Sequence, residues 1–115
     1  MKTPLEVAKH YFDLSNQRDL DGIRKLLTET STYSSPNTGV YLGVEQIMTM
    51  KETFYDSFTE MHWEVHELHE ERPGVIKFDF TFSGTQTDGT EVERPGTEYV
   101  IVHNNKLLHI EVQNK

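Results

Sequence analysis

The chain of 115 residues contains no cysteine, which excludes disulfide bonds, thiolate metal ligands and a cysteine nucleophile. Basic residues are few, 11 against 19 acidic ones, and the net charge is −8 at pH 7. Because phosphate binding needs clustered Lys and Arg, we expect no nucleic-acid partner. No apolar run approaches the roughly 18 residues of a membrane span, and the first residues lack the apolar segment of a signal peptide. We therefore predict a cytoplasmic protein without a membrane partner, folded as one domain over 1–115.

The first half of the sequence shows helical patterns. Thr3, Pro4 and Glu6 form a capping box with proline at the first helical position, and the helix should end near 16–18. Asp19 is the expected N-cap of a short second helix. An apolar stripe predicts a third helix over about 44–58, and a short β-branched run predicts a strand over about 30–35.

From residue 62 onward the hydrophobic period changes from 3.6 to 2, which is typical of strands. Turn residues divide this half into four predicted antiparallel strands, over about 61–71, 74–86, 90–103 and 106–113. Pro95–Gly96 should mark a bulge or bend, since proline cannot donate to a strand partner. Helices followed by strands predict the α+β class, with the helices covering one face of the sheet. The expected apolar residues of that face are Phe78, Phe80, Phe82, Ile101, Leu108, Ile110 and Val112.

The order of these helices and strands resembles that of a known protein superfamily. The run YFDLSNQRDLDGI at 11–23, a short strand ending at Pro36, a helix after Gly43 and four strands resemble the nuclear transport factor 2-like superfamily. That group includes the SnoaL-like proteins and the ketosteroid isomerases. The resemblance implies a cone-shaped cystatin-like fold, in which three N-terminal helices pack on a strongly bent antiparallel sheet around a blind pocket. It also implies a homodimer formed through the sheet.

The ketosteroid isomerases use a Tyr and a protonated Asp as an oxyanion hole and a second Asp as the base. By resemblance, these positions fall on Tyr11, Thr97 and Ser35. Because Thr97 and Ser35 stand where those enzymes have their two aspartates, we predict no isomerase activity. A slip of one residue would bring Glu98 into the place of the protonated Asp, but alternation turns Glu98 away if Tyr99 and Ile101 face the pocket.

Three functions remain open at this point. The first is binding of a small apolar or aromatic ligand in an aromatic-lined pocket, without a complete catalytic set. The second is an acid–base lyase, isomerase or cyclase with Tyr11 as donor, although a Tyr on an amphipathic helix is more often an interior residue with a satisfied hydroxyl. The third is a protein-interaction module whose outer sheet face carries Val100, Val102 and Leu107. The expected pocket-lining residues are Tyr11, Ser35, Tyr55, Trp63, Phe80, Thr97 and Tyr99.

The histidines offer a metal site only on a helix. On a strand, His62 and His66 would stand roughly 13 Å apart and His69 would point to the other side, so we predict no bound metal. His103 should be exposed, and His109 should lie on the outer sheet face, where a dimer contact is as good a role as proton transfer. No phosphate-binding or dinucleotide-binding motif is present, so we expect no cofactor.

Overall fold

The computed structural model describes residues 2–115, and Met1, the first residue of the predicted domain, lies outside them. Within this range the chain forms three helices and six strands, in the order α1, α2, β1, β2, α3 and then β3 to β6. The bounds are α1 Pro4–Gln17, α2 Leu20–Arg24, β1 Thr32–Ser35, β2 Gly39–Leu42, α3 Gly43–Asp56, β3 Phe58–Arg72, β4 Val75–Gln86, β5 Glu91–His103 and β6 Lys106–Asn114.

The predicted helix starts are confirmed by their hydrogen bonds. The Thr3 hydroxyl accepts from the Glu6 backbone N–H at 3.2 Å, and the Glu6 carboxylate accepts from the Thr3 N–H at 2.9 Å. The Asp19 carboxylate accepts from the Gly22 N–H at 2.9 Å and so begins α2. These bonds satisfy backbone donors that a helix start would otherwise leave unpaired.

The six strands form one curved sheet in the order β2-β1-β6-β5-β4-β3. The α+β class and the packing of helices on one sheet face agree with the prediction, with two differences. First, β1 pairs with β6 in parallel, so the sheet is mixed. Second, the predicted turn after β1 leads directly into β2, which sequence analysis did not identify. Register shifts near 58–60, 65–67 and 70–72 bend the long edge strand β3.

The predicted bulge at Pro95–Gly96 is absent, because the β4–β5 register runs without a shift from Val75 to Thr85. Pro95 is accommodated differently. Its carbonyl accepts from the Lys115 N–H at 3.4 Å, and the N and O of one strand residue face the same neighbour. The Pro95 nitrogen, which has no hydrogen to donate, therefore faces the end of β6. The pairing of β6 with β5 starts only at Gly96, so no strand hydrogen bond is lost there.

The core lies between the helices and the inner face of the sheet. Phe12 of α1 packs edge-on against Phe78 of β4, with ring centroids 3.9 Å apart. Two residues expected on the inner face, Ile101 and Leu108, are instead half-buried on the outer face. The inner positions of β5 and β6 are occupied by Val100, Val102, Leu107, Ile110 and Val112.

This arrangement removes the apolar patch on which the protein-interaction alternative depended. Val100 and Leu107 are fully buried and Val102 is nearly so, which leaves none of the three on the outer surface. The outer face carries half-buried side chains such as Tyr99 and Ile101, and the homodimer contact through this face stays a prediction. Among the helices of residues 2–115, none combines the length and apolarity needed to cross a membrane.

Candidate active site and ligand cavity

A cavity of about 70 Å³ lies between α3, the inner face of the sheet and the loop that follows β1. Aromatic rings form much of its wall, and a lysine and a glutamate contribute the buried charged groups. Its lining residues are Tyr33, Ser35, Asn37, Thr38, Met50, Lys51, Phe54, Tyr55, Trp63, Phe80, Phe82, Arg94, Pro95, Glu98, Val112 and Asn114.

Four of the seven residues expected at the pocket line this cavity, namely Ser35, Tyr55, Trp63 and Phe80. Ser35 ends β1, and its hydroxyl accepts from the Asn37 N–H at 3.1 Å, so it also holds the turn. Tyr11 does not line the cavity but lies directly behind Lys51, which does. The Tyr11 hydroxyl accepts a hydrogen bond from the Lys51 amine. The interpretation of Tyr11 as an interior residue with a satisfied hydroxyl therefore fits the structure.

The expectation that Thr97 and Tyr99 line the cavity is wrong, and so is the expectation that Glu98 faces away from it. Residues directly opposite on neighbouring strands share a face, and Glu98 lies opposite the buried Phe78. The Thr97 hydroxyl instead donates to the Asp79 carboxylate at 2.8 Å on the outer face. Tyr99 is paired with Lys77 on that same face.

The turn between β4 and β5 determines which face of the sheet Glu98 occupies. A two-residue loop at Asp88–Gly89 would pair Phe78 with Tyr99. The Gln86 N–H instead donates to the Thr90 carbonyl at 2.7 Å, which leaves a three-residue loop ending at Gly89, with φ of 90°. One additional loop residue shifts the register by one and exchanges every side chain between the two faces.

Lys51 of α3 places an amine in the cavity wall. Its side chain is buried, with an exposed fraction of 6%, and the amine donates to the Tyr11 hydroxyl at 2.7 Å. The same nitrogen lies 5.0 Å from the Tyr11 ring centroid and 5.1 Å from that of Tyr33, a distance at which aromatic rings attract cations. Burial lowers the pKa of Lys51 to about 8, while the nearby Glu98 opposes this shift.

Glu98 of β5 places a carboxyl group in the same cavity. The residue is 5% exposed, and its Oε2 atom is buried without a hydrogen-bond partner among residues 2–115. Burial raises the pKa of Glu98 to about 8, and the Lys51 amine partly offsets this rise. At neutral pH the carboxyl group is therefore mainly protonated and can donate a hydrogen bond as well as accept one.

The tyrosines of the site remain protonated. Burial raises the pKa of Tyr55 to about 12 and raises the pKa of Tyr11 and Tyr33 well above the ordinary value. The Tyr55 hydroxyl is buried and has no hydrogen-bond partner in the described part of the chain. It is thus a second unpaired polar atom at the cavity, where such groups are costly unless a ligand or water pairs with them.

Two polar residues at the C-terminal end of α1 hold this site together. The Asn16 amide donates to the Trp63 carbonyl at 3.0 Å and accepts from the Trp63 N–H at 2.8 Å, which fixes the tryptophan of the wall. Arg18 donates to the carbonyl groups of Tyr55 at 2.6 Å and Phe58 at 3.2 Å, where α3 passes into β3. The motif at 11–23 therefore positions the aromatic wall.

Lys51 is not among the residues expected at the pocket, and Glu98 was expected to face away from it. The signal for Lys51 was its place on the apolar stripe of α3, between Ile47 and Phe54, where a charged residue breaks the pattern. For Glu98 the signal lay in the predicted strand bounds. Strands over 74–86 and 90–103 leave a three-residue loop, and pairing residue 86 with residue 90 places Glu98 opposite Phe78.

The three histidines considered as metal ligands lie on one strand, as predicted. His62, His66 and His69 belong to β3, and no group of three or more potential metal-ligating side chains is found within residues 2–115. His103 is exposed at the end of β5. His109 lies on the outer face, where its ring contacts the Thr32 hydroxyl at 2.6 Å and the Glu111 carboxylate at 3.0 Å.

The helix order, the curved sheet and the cavity define a cone-shaped α+β domain of the nuclear transport factor 2-like superfamily. The family model of the SnoaL-like domain matches residues 8–110, so the chain belongs to the SnoaL-like domain family. This confirms the resemblance based on the run at 11–23. No curated protein matches the chain in sequence.

Solved structures share the fold at low sequence identity. An NTF2-like protein of unknown function from Burkholderia pseudomallei has a TM-score of 0.87 at 16% identity, covering 100% of this chain and 92% of its own. TerC, co-crystallised with polyporic acid, has a TM-score of 0.83 at 16% identity, covering 97% and 91%. An LEH-like epoxide hydrolase from M. tuberculosis has a TM-score of 0.85 at 9% identity, covering 97% and 82%. At these identities the likeness shows the fold.

Proposed function

We propose that this protein binds a small apolar or aromatic molecule that carries one polar group, inside the cavity between α3 and the sheet. The observation that carries the proposal is the buried, unpartnered Oε2 atom of Glu98 at an aromatic wall. A buried polar atom without a partner costs about 1–3 kcal/mol, and a ligand hydroxyl would recover that energy. The co-crystal of TerC with polyporic acid supports ligand binding on this fold.

The size of the cavity determines how a ring enters. About 70 Å³ is well below the roughly 300–1,000 Å³ of pockets for drug-sized ligands. A more open groove adjoins the cavity between β2 and α3, and Thr38, Met50 and Phe54 line both spaces. Because methionine has several flexible bonds, Met50 can move toward the groove and admit a single ring.

Phenol is the probe for this proposal, because it joins one aromatic ring to one hydroxyl. We expect phenol to change the fluorescence of Trp63, the single tryptophan of the chain, in a saturable titration. Glu98→Leu should weaken phenol binding by about tenfold or more, since the hydroxyl loses its partner, whereas Glu98→Gln should keep it within about threefold.

Toluene is the matched control, because it has a similar shape and lacks the hydroxyl. Toluene should bind the wild type and Glu98→Leu about equally well. If phenol does not bind, or binds Glu98→Leu as tightly as the wild type, the proposed role of the cavity is rejected.

An acid–base enzyme is the second candidate function. The observation in its favour is that a carboxyl group and an amine with pKa values of about 8 share one cavity, which suits proton transfer near neutral pH. The M. tuberculosis epoxide hydrolase shows that this fold carries enzymes.

Tyr11→Phe removes the hydroxyl that holds Lys51 and should lower turnover of any epoxide or enolisable ketone found in a substrate screen by at least about tenfold. Unchanged turnover would remove Tyr11 from the mechanism.

A further inference from the structure

Lys51 differs from the other lysines of residues 2–115 in its surroundings. The others are exposed or half-buried, whereas Lys51 is buried in the wall of the cavity. The Tyr11 hydroxyl, at 2.7 Å, orients the amine. The cavity that it lines is too small for most ligands but large enough for a short aliphatic molecule.

A buried amine of this kind has the properties of a nucleophile. Because burial lowers the pKa of Lys51 to about 8, roughly a tenth of the amine is unprotonated at pH 7, against less than about a thousandth for an exposed lysine. Desolvated lysines in apolar pockets react with carbonyl carbons to form imines. The amine and the carboxyl group of Glu98, a proton donor, line one cavity.

We propose that Lys51 captures short-chain aldehydes as an imine inside the cavity, with the Glu98 carboxyl group as the proton donor. The proposal rests on the proposed function, because it requires that small organic molecules enter this space. It extends that function from reversible contact to a covalent bond with carbonyl compounds.

The reaction balances with the groups present. The lone pair of the Lys51 nitrogen attacks the carbonyl carbon, the π electrons move to oxygen, and a proton passes from nitrogen to that oxygen to give a carbinolamine. Glu98 then donates its proton to the hydroxyl, the C–O bond breaks, and water leaves as the nitrogen lone pair forms the C=N bond. The products are an iminium ion, a carboxylate and one water, with no change of oxidation state.

The wall of the cavity suits these products. The rings of Tyr11 and Tyr33 lie 5.0 and 5.1 Å from the Lys51 nitrogen and would attract the iminium cation. The Glu98 carboxylate formed in the last step supplies the opposite charge in the same cavity. A neutral acid and a neutral amine are thus converted into an ion pair that stays inside the protein.

Propanal with sodium cyanoborohydride tests the proposal on the full chain, because the hydride donor converts the imine to a stable propyl amine. Peptide mass mapping at about pH 8 should show Lys51 propylated at least about tenfold faster than the exposed Lys9 and Lys25. The rate at Lys51 should rise with pH to a maximum near pH 8 and fall above it, because the amine must be neutral and the Glu98 carboxyl group must still carry its proton. Lys51→Arg should leave only the slow surface labelling, and Glu98→Gln should slow labelling at Lys51 by about tenfold.

The outcomes separate this proposal from the proposed function. If exposed lysines are labelled and Lys51 is not, while phenol still changes Trp63 fluorescence, the imine is overturned and ligand binding stands. If Lys51 remains unlabelled and phenol also fails to bind, both proposals are overturned. Equal labelling rates at Lys51 and Lys9 would likewise overturn the imine, because they would show no activation of the buried amine.

Discussion

Glu98→Gln is expected to keep its free energy of unfolding nearly constant between about pH 5.5 and 8, where the wild type should lose about 3 kcal/mol. The folded pKa of Glu98 is raised from 4.5 to about 8 because the carboxyl group is buried. The stability associated with the protonated group is complete below pH 4.5 and is lost as the pH rises toward 8, because the unfolded chain releases this proton first. Glutamine has nearly the same shape and does not titrate. The measurement is the free energy of unfolding in urea against pH, plotted as wild type minus variant.

Lys51→Met tests a pH dependence of stability with the opposite sign. Burial lowers the pKa of Lys51 from 10.5 to about 8, so the stability associated with its neutral form is complete above pH 10.5 and lost as the pH falls through 8. The wild type should therefore gain about 2 kcal/mol relative to Lys51→Met between about pH 8 and 10. Together the two groups give the wild type a local minimum of stability near pH 8. A difference curve for Glu98→Gln that stays flat from pH 5.5 to 8 would show that Glu98 is not buried as described.

Gly96→Val is expected to destabilise the fold by about 3 kcal/mol and to abolish phenol binding. Gly96 lies opposite Phe80, whose ring crosses over it: a Cβ atom there would stand 2.5 Å from Phe80 Cζ and 3.1 Å from the Gln113 carbonyl oxygen. The ring would have to turn into the cavity that it now lines. Urea unfolding and the phenol titration measure the two effects.

A double variant tests this explanation. In Gly96→Val with Phe80→Ala, the added side chain occupies space that the ring has left, so the combined loss of stability should be smaller than the sum by at least about 1 kcal/mol. Strict additivity would mean that the ring and the glycine are not coupled, and the loss of binding in Gly96→Val would then need another cause.

The sequence was sufficient to predict most of the fold, because caps and periodicity are local properties. Thr3 and Asp19 begin helices through bonds to residues only three positions away, and Phe78, Phe80 and Phe82 alternate along one strand. The strand β2 was not predicted, because its pairing with β1 depends on the tertiary structure and its side chains, such as Val40, are mostly exposed.

The site was less predictable, because it depends on how distant elements meet. Aromatic residues such as Trp63 and Phe80 were identified from composition and pattern, and they do line the cavity. The two titratable groups were not, since Lys51 acquires its surroundings from α1 and the sheet, and Glu98 from the register of a hairpin. A shift of one residue in that register would place Tyr99 where Glu98 now lies.

The three-residue loop at 87–89 thus determines which side chains of β5 face the cavity. Residues 87–89 lie outside the cavity wall, yet their number decides whether an acid or the side chains of Thr97 and Tyr99 are presented to whatever the cone encloses. Members of one family can exchange the polar group of an interior by gaining or losing a single loop residue, with every strand residue unchanged. An alignment that places a gap wrongly by one position in this loop would transfer the wrong functional residues between relatives.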